Sequence, residues 1–212
     1  MKQVLITIAL IAYYASAASA TAQNSLENFV KTVKTGRADF TQVVTSPAKD
    51  GQAPRVKTSS GQFEFARPYR FRFTYVKPFE QTIVADGQTL WLYDVDLNQV
   101  TARKQSEVLG STPAALIASA ADVHALQADF VLANAPDKDG LQWLLATPKA
   151  KEGQLQSVRL GFREGGTLEV LEMEDSFGQR SVLSFGRLQI NPALSANAFD
   201  FKVPPGADLI RQ

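Results

Sequence analysis

The chain has 212 residues, of which 45% are hydrophobic and only 20% charged, with 13 phenylalanines, one histidine and no cysteine. That suits a single globular domain with a large core. It excludes disulfides and leaves too few ligands for the usual structural zinc sites. Basic and acidic residues nearly balance, 22 against 21, which argues against nucleic acid, whose binding depends on neutralising many phosphates.

Residues 1–22 read as a secretory signal peptide. Lys2 supplies a positive start, residues 4–12 an apolar run too short to span a bilayer, and residues 15–22 a field of small side chains. Cleavage is expected after Ala20 or Ala22, leaving residues 23–212 as one domain. Loss of this leader removes only Lys2 and leaves 21 basic residues against 21 acidic. No cysteine marks it for lipid attachment, so the mature chain is expected to be exported to the periplasm, soluble and not itself acylated.

The spacing of Leu26, Phe29, Val30 and Val33 predicts a helix over residues 24–35, with Asn24 and Glu27 as a capping box and Gly36 closing it. A strand over 38–45 follows, placing Ala38, Phe40, Gln42 and Val44 on one side. Residues 46–60, rich in Pro, Lys, Ser and Gly, read as a loop. Phe63 and Phe65 then alternate with polar residues, and Arg67-Pro68 breaks the strand. In residues 67–75, Tyr69, Phe71, Phe73 and Tyr75 share one face while Arg70, Arg72 and Thr74 take the other, wet face. Two neighbouring strands thus present an aromatic wall, either a packed core or the lining of a cavity for an apolar ligand.

Strands over 81–85 and 89–93 flank Asp86-Gly87, a hairpin signal, and 98–103 extends the meander. Residues 111–126 predict a helix whose stripe, including Leu116, Ile117 and His124, is thin and alanine-rich. Such an element buries little area and opens easily. Further strands are expected over 129–132, 141–146, 155–163, 167–174, 179–190 and 199–203. The count is about ten short strands with two or three helices, arranged as a long, strongly curved antiparallel sheet with helices inside its concave face.

Catalysis finds no foothold. A Ser-His-Asp triad would have to use His124, read here as a partly buried helix residue, and no Gly-x-Ser-x-Gly is present. Asp94 and Asp96 suit a turn better than paired-carboxylate chemistry. No phosphate loop, cofactor motif or metal-ligand cluster stands out. Arg67, at the head of the aromatic strand, is either a solvated arginine or a guanidinium whose donors fasten carbonyls across a cavity mouth.

Several pieces in order carry a resemblance: Ala38-Asp39-Phe40-Thr41-Gln42, Phe65-Ala66-Arg67-Pro68, Phe71, the run from Asp86 to Tyr93, Ser111-Thr112-Pro113 leading to Leu116-Ile117, Thr147-Pro148-Lys149-Ala150, Gln179-Arg180-Ser181, and Phe199-Asp200-Phe201 with Pro204-Pro205-Gly206. The set resembles the LolA family of periplasmic lipoprotein carriers. The resemblance implies a mainly β fold, an unclosed, strongly curved antiparallel β-barrel of about ten or eleven strands, with lid helices over a hydrophobic cavity. It implies a monomeric, non-enzymatic carrier without cofactor or metal. Such a carrier takes acylated lipoproteins from an inner-membrane lipoprotein-releasing ABC transporter to an outer-membrane lipoprotein receptor. Its cavity is expected to use Phe40, Phe63, Phe65, Phe71, Phe73, Tyr75, Leu116 and Ile117, with Arg67 as the lid latch. A lipid- or lipoprotein-binding sensor on the same fold is the alternative.

Overall fold

The computed structural model describes residues 21–48, 51–108, 117–118, 122–151 and 153–212. The expected leader up to Ala20, and Leu116 with most of the predicted helix over 111–126, lie outside them.

Helix α1 (Ala22–Thr32) begins two residues earlier than its stripe suggested. Its cap is Thr21, whose hydroxyl accepts from the Asn24 amide, instead of the expected Asn24–Glu27 box. It ends at Val33 in extended backbone. Gly36 is therefore no helix terminator: it lies inside β1 (Thr35–Ser46), under the Phe65 ring, where a Cβ would come within 2.2 Å of a ring carbon.

Strands β2 (Arg55–Ala66), β3 (Arg70–Lys77), β4 (Gln81–Ala85), β5 (Thr89–Asp94) and β6 (Gln99–Lys104) form the expected meander. β2 takes in the last six residues of the stretch read as a loop, because pairing with β1 extends to Ser46 and Arg55. The hairpin between β4 and β5 is fixed by Asp86, whose carboxylate accepts from the Gln88 and Thr89 amides and from the Trp91 indole, each at 2.8 Å. Asp94 serves a turn, accepting from the Leu97 amide.

Among the described residues the helices α2 (Gln105–Val108) and α3 (Val123–Asp129) follow. Asp122 caps α3, and His124 on it is exposed instead of partly buried as expected. The second half of the sheet runs through β7 (Phe130–Lys138), β8 (Leu141–Pro148), β9 (Leu155–Arg163), β10 (Thr167–Asp175) and β11 (Arg180–Phe185). The single strand predicted over 179–190 is broken at Gly186, whose amide turns to the Asp39 carbonyl, and resumes as the two-residue β12 (Gln189–Ile190).

The strand predicted over 199–203 does not form. Residues 191–203 instead cross the outer face of β3–β5, where Phe199 packs with Ala66 and Val84, and Phe201 stacks on Trp91 at 5.2 Å. Arg72, read as part of a wet wall, is half-buried there and donates to the Ala198 and Asp200 carbonyls. The last strand is β13 (Asp208–Arg211), parallel to β6.

Among the described residues thirteen strands make one sheet, running β13-β6-β5-β4-β3-β2-β1-β11-β10-β9-β8-β7, with β12 off this path beside β1. β13 and β7 end the path without pairing to each other, so the curved wall stays open. α1 lies against its inward face over β7–β10, burying Leu26, Phe29 and Val30. No helix among the described residues is long and apolar enough to cross a membrane.

Candidate binding cavity

Register decides which side chains meet inside. β2 and β3 pair Phe63 with Phe73 and Phe65 with Phe71, so the two aromatic rows lie side by side on the inward face. A bulge at Ser60/Gly61 then brings Gly61 opposite both Phe40 and Tyr75. With no side chain between them, those two rings meet edge to face at 5.0 Å across the intervening strand.

The rings fill one end of the interior. Phe63 stacks on Phe73 at 4.3 Å and on Phe65 at 5.6 Å, while Phe29 of α1 descends onto Phe65 and Phe162. Toward the other end the filling stops. An apolar cavity of about 240 Å³ remains between the two halves of the sheet. Phe71, Phe73, Tyr75 and Ile117 line it, with Ile83, Leu90, Leu92, Leu171, Met173, Leu183 and Gln42. Of the residues the sequence singled out, Phe40, Phe63 and Phe65 thus stand in the packed ring cluster beside the cavity. Phe71, Phe73, Tyr75 and Ile117 face it.

Arg67 occupies the corner between β2 and β3 and is only 9% exposed. Its amide donates to the Lys34 carbonyl, its Nε to the Val33 carbonyl at 3.1 Å, and its Nη1 to the Ile117 carbonyl. The guanidinium sits over the Phe29 and Phe65 rings, at 5.0 and 5.1 Å from their centroids. Burial without a carboxylate partner lowers its pKa to about 10. Nη2 has no hydrogen-bond partner among the described residues. Arg67 therefore ties the end of α1 to the backbone that covers the cavity. Two residues on, the Tyr69 amide donates to the Ala118 carbonyl at 3.0 Å, a second tie to the same cover.

Gln105 supports this corner and was not anticipated. Fully buried, it donates to the Tyr69 carbonyl and accepts from the Gly87 amide, joining the corner to the β4–β5 hairpin. Nothing in its sequence neighbourhood marks it, since its partners come from distant turns. Gln42 was legible only as a polar residue on the same side as Phe40. It accepts from the Tyr75 hydroxyl at 2.9 Å and donates to Ser181 Oγ at 2.7 Å. Burial pushes the Tyr75 hydroxyl up to about 12, so it remains protonated at neutral pH.

The arrangement can enclose hydrocarbon and be opened at its cover. It brings together no nucleophile and base, and no cluster of three or more potential metal ligands occurs among the described residues.

The sequence has similar relatives. The chain is 74% identical to an outer-membrane lipoprotein carrier protein of Albidiferax ferrireducens, over 95% of this chain and 96% of that one. It is 51% identical to one of Methylibium petroleiphilum over the whole of both chains. A solved structure described as a LolA superfamily protein from Nitrosomonas europaea is 17% identical, covers 85% of this chain and 98% of its own, and superposes with a TM-score of 0.48. The profile of the family described as outer membrane lipoprotein carrier protein LolA matches residues 31–202. With its open curved sheet and apolar interior, the chain belongs to the LolA family of outer-membrane lipoprotein carrier proteins.

Proposed function

We propose that this chain is a periplasmic carrier. It receives lipoproteins from an inner-membrane ABC transporter, shelters their acyl chains in the cavity under Ile117, and hands them to an outer-membrane receptor. The leader is cleaved after Ala20 or Ala22, of which the first keeps the Thr21 cap and the buried Ala22 of α1; the remainder acts as a single monomeric carrier domain, and no catalytic step is involved. The apolar cavity closed by Arg67 carries this reading.

Energetics explain why such a device is needed. Each methylene removed from water is worth roughly 0.8 kcal/mol, and two or three acyl chains hold about 40 of them. The gross figure of about 30 kcal/mol exceeds what non-covalent complexes reach, so unescorted passage through water is excluded. The apolar cavity of about 240 Å³ is small beside two or three acyl chains, so loading must displace the cover.

The cargo wall is Phe71, Phe73 and Tyr75, supplemented by Ile117 and the leucines facing them. Phe40, Phe63 and Phe65 back this wall. Depletion of the protein in cells should strand lipoproteins in the inner membrane. Correct sorting without it would overturn the reading. Phe71→Glu places an unpaired carboxylate against the cavity, and it should abolish co-purification with an acylated passenger detected by native mass spectrometry.

A further inference from the structure

Gln42 is out of place on a wall of leucines and rings. Burying an amide costs free energy unless its hydrogen bonds are satisfied, and a leucine would pack there with no such demand. Gln42 bridges β3 and β11 instead, taking the Tyr75 hydroxyl on one side and giving to Ser181 on the other. The result is a polar bar across three strands of an otherwise apolar interior.

Its position is informative. Gln42 and Tyr75 line the apolar cavity of about 240 Å³ and also an outer hollow of about 400 Å³ that opens past Lys57, Asp94 and Asp96. The bar is thus the threshold between a greasy interior and a wet vestibule. Among the described residues it has donors to spare. Gln42 uses one of its two amide N–H groups, and the Ser181 hydroxyl receives that bond with its own hydrogen free to give. No cation stands on the bar itself, and Lys57 lies in the vestibule over the Phe79 ring. A neutral acceptor suits this site better than a carboxylate.

We infer that Gln42, Tyr75 and Ser181 form a polar subsite for the ester or amide carbonyl that joins an acyl chain to its head group. The inference rests on the carrier reading and adds a depth gauge to it. Hydrocarbon runs inward from the bar, the carbonyl stops at it, and the polar remainder of the ligand occupies the vestibule. Tyr75 is a positioning residue, holding the Gln42 amide by its oxygen so that the N–H side faces Ser181 and the ligand.

The test compares an ester-linked acylated cysteinyl lipopeptide with its ether-linked analogue, which lacks the carbonyl. A phospholipid ester and ether pair runs in parallel. The wild-type protein should bind the ester lipopeptide about tenfold more tightly than the ether. The ratio should fall to about one in Gln42→Leu and to about threefold in Ser181→Ala, whatever either change does to the affinity shared by ester and ether. If Gln42→Leu fails to fold in a thermal melt, the milder Ser181→Ala carries the test alone. Equal wild-type affinity for ester and ether would overturn the subsite and leave the carrier reading intact. Binding of neither lipopeptide would overturn both. An ester preference confined to the phospholipid pair would assign the subsite to phospholipid chains and overturn it for lipoprotein cargo.

Discussion

Arg67 and Ile117 stand 50 residues apart in the chain, yet the guanidinium of one donates to the backbone carbonyl of the other. Because the acceptor is backbone, the contact reads only where that segment lies, whatever side chains it carries. The same cation also donates to Val33. Hydrogen bonds to charged groups contribute about 1.5–3 kcal/mol each. That figure is already net of desolvation, so the bond to Ile117 fastens the cover by about 1.5–3 kcal/mol, a contact that a ligand favouring the open form can outweigh.

For Arg67→Leu, cargo should still load, but hydrogen exchange at residues 117–118 should accelerate about 10-fold or more. If Arg67 is the proposed latch, transfer to an acceptor should slow by a similar factor. Exchange mass spectrometry and a purified transfer assay read the two effects. Release at the wild-type rate would remove Arg67 from the account.

Asp86 should set part of the acid sensitivity. Burial alone would raise its pKa, but hydrogen bonds from Thr89, Trp91 and Gln88 outweigh it and hold the carboxyl below the ordinary carboxylate value. The unfolded chain therefore takes up the proton first. The stability this group contributes is present above the ordinary carboxylate range and is lost as pH falls through the folded value. Asp86→Asn should be about 1 kcal/mol less stable at pH 7, with the gap closing toward pH 3 in urea melts. A gap that persists at pH 3 would show that the loss is steric.

Gly61 is required by close backbone approach. A Cβ there would lie 1.9 Å from the Thr74 carbonyl oxygen, which cannot rotate away, and its φ is not in the left-handed region. Gly61→Ala should cost about 1–3 kcal/mol in a denaturant melt and part the Phe40 and Tyr75 rings. Gly153→Ala, where a Cβ meets nothing within 4 Å, should stay within about 0.5 kcal/mol of wild type.

The period-two alternation of Phe63, Phe65, Phe71 and Phe73 placed the aromatic wall correctly, and Asp86-Gly87 placed its hairpin, because both signals are local. What alternation could not show is position around the sheet. Phe63 and Phe71 share a face, yet only Phe71 meets the cavity: Phe63 on β2 is packed among the Phe65, Phe73 and Phe185 rings, whereas β3 borders the open space it shares with β4 and β5. Gly36 looked like a helix terminator until Phe65, some 30 positions away, supplied another use for a missing side chain. The wet reading of Arg72 failed for a related reason. Residues 191–203 return from far along the sequence to cover it, and no window around Arg72 contains them.

The unpaired margins at β7 and β13 also bear on what the molecule can hold. A sealed cylinder has its girth fixed by strand number and stagger, and widening it would break a whole ladder of hydrogen bonds. Here the circumference has a slit, so the two flanks can spread like a cuff while every ladder stays made. Capacity is then an elastic property of the wall, and passengers with different numbers of chains can share one sleeve.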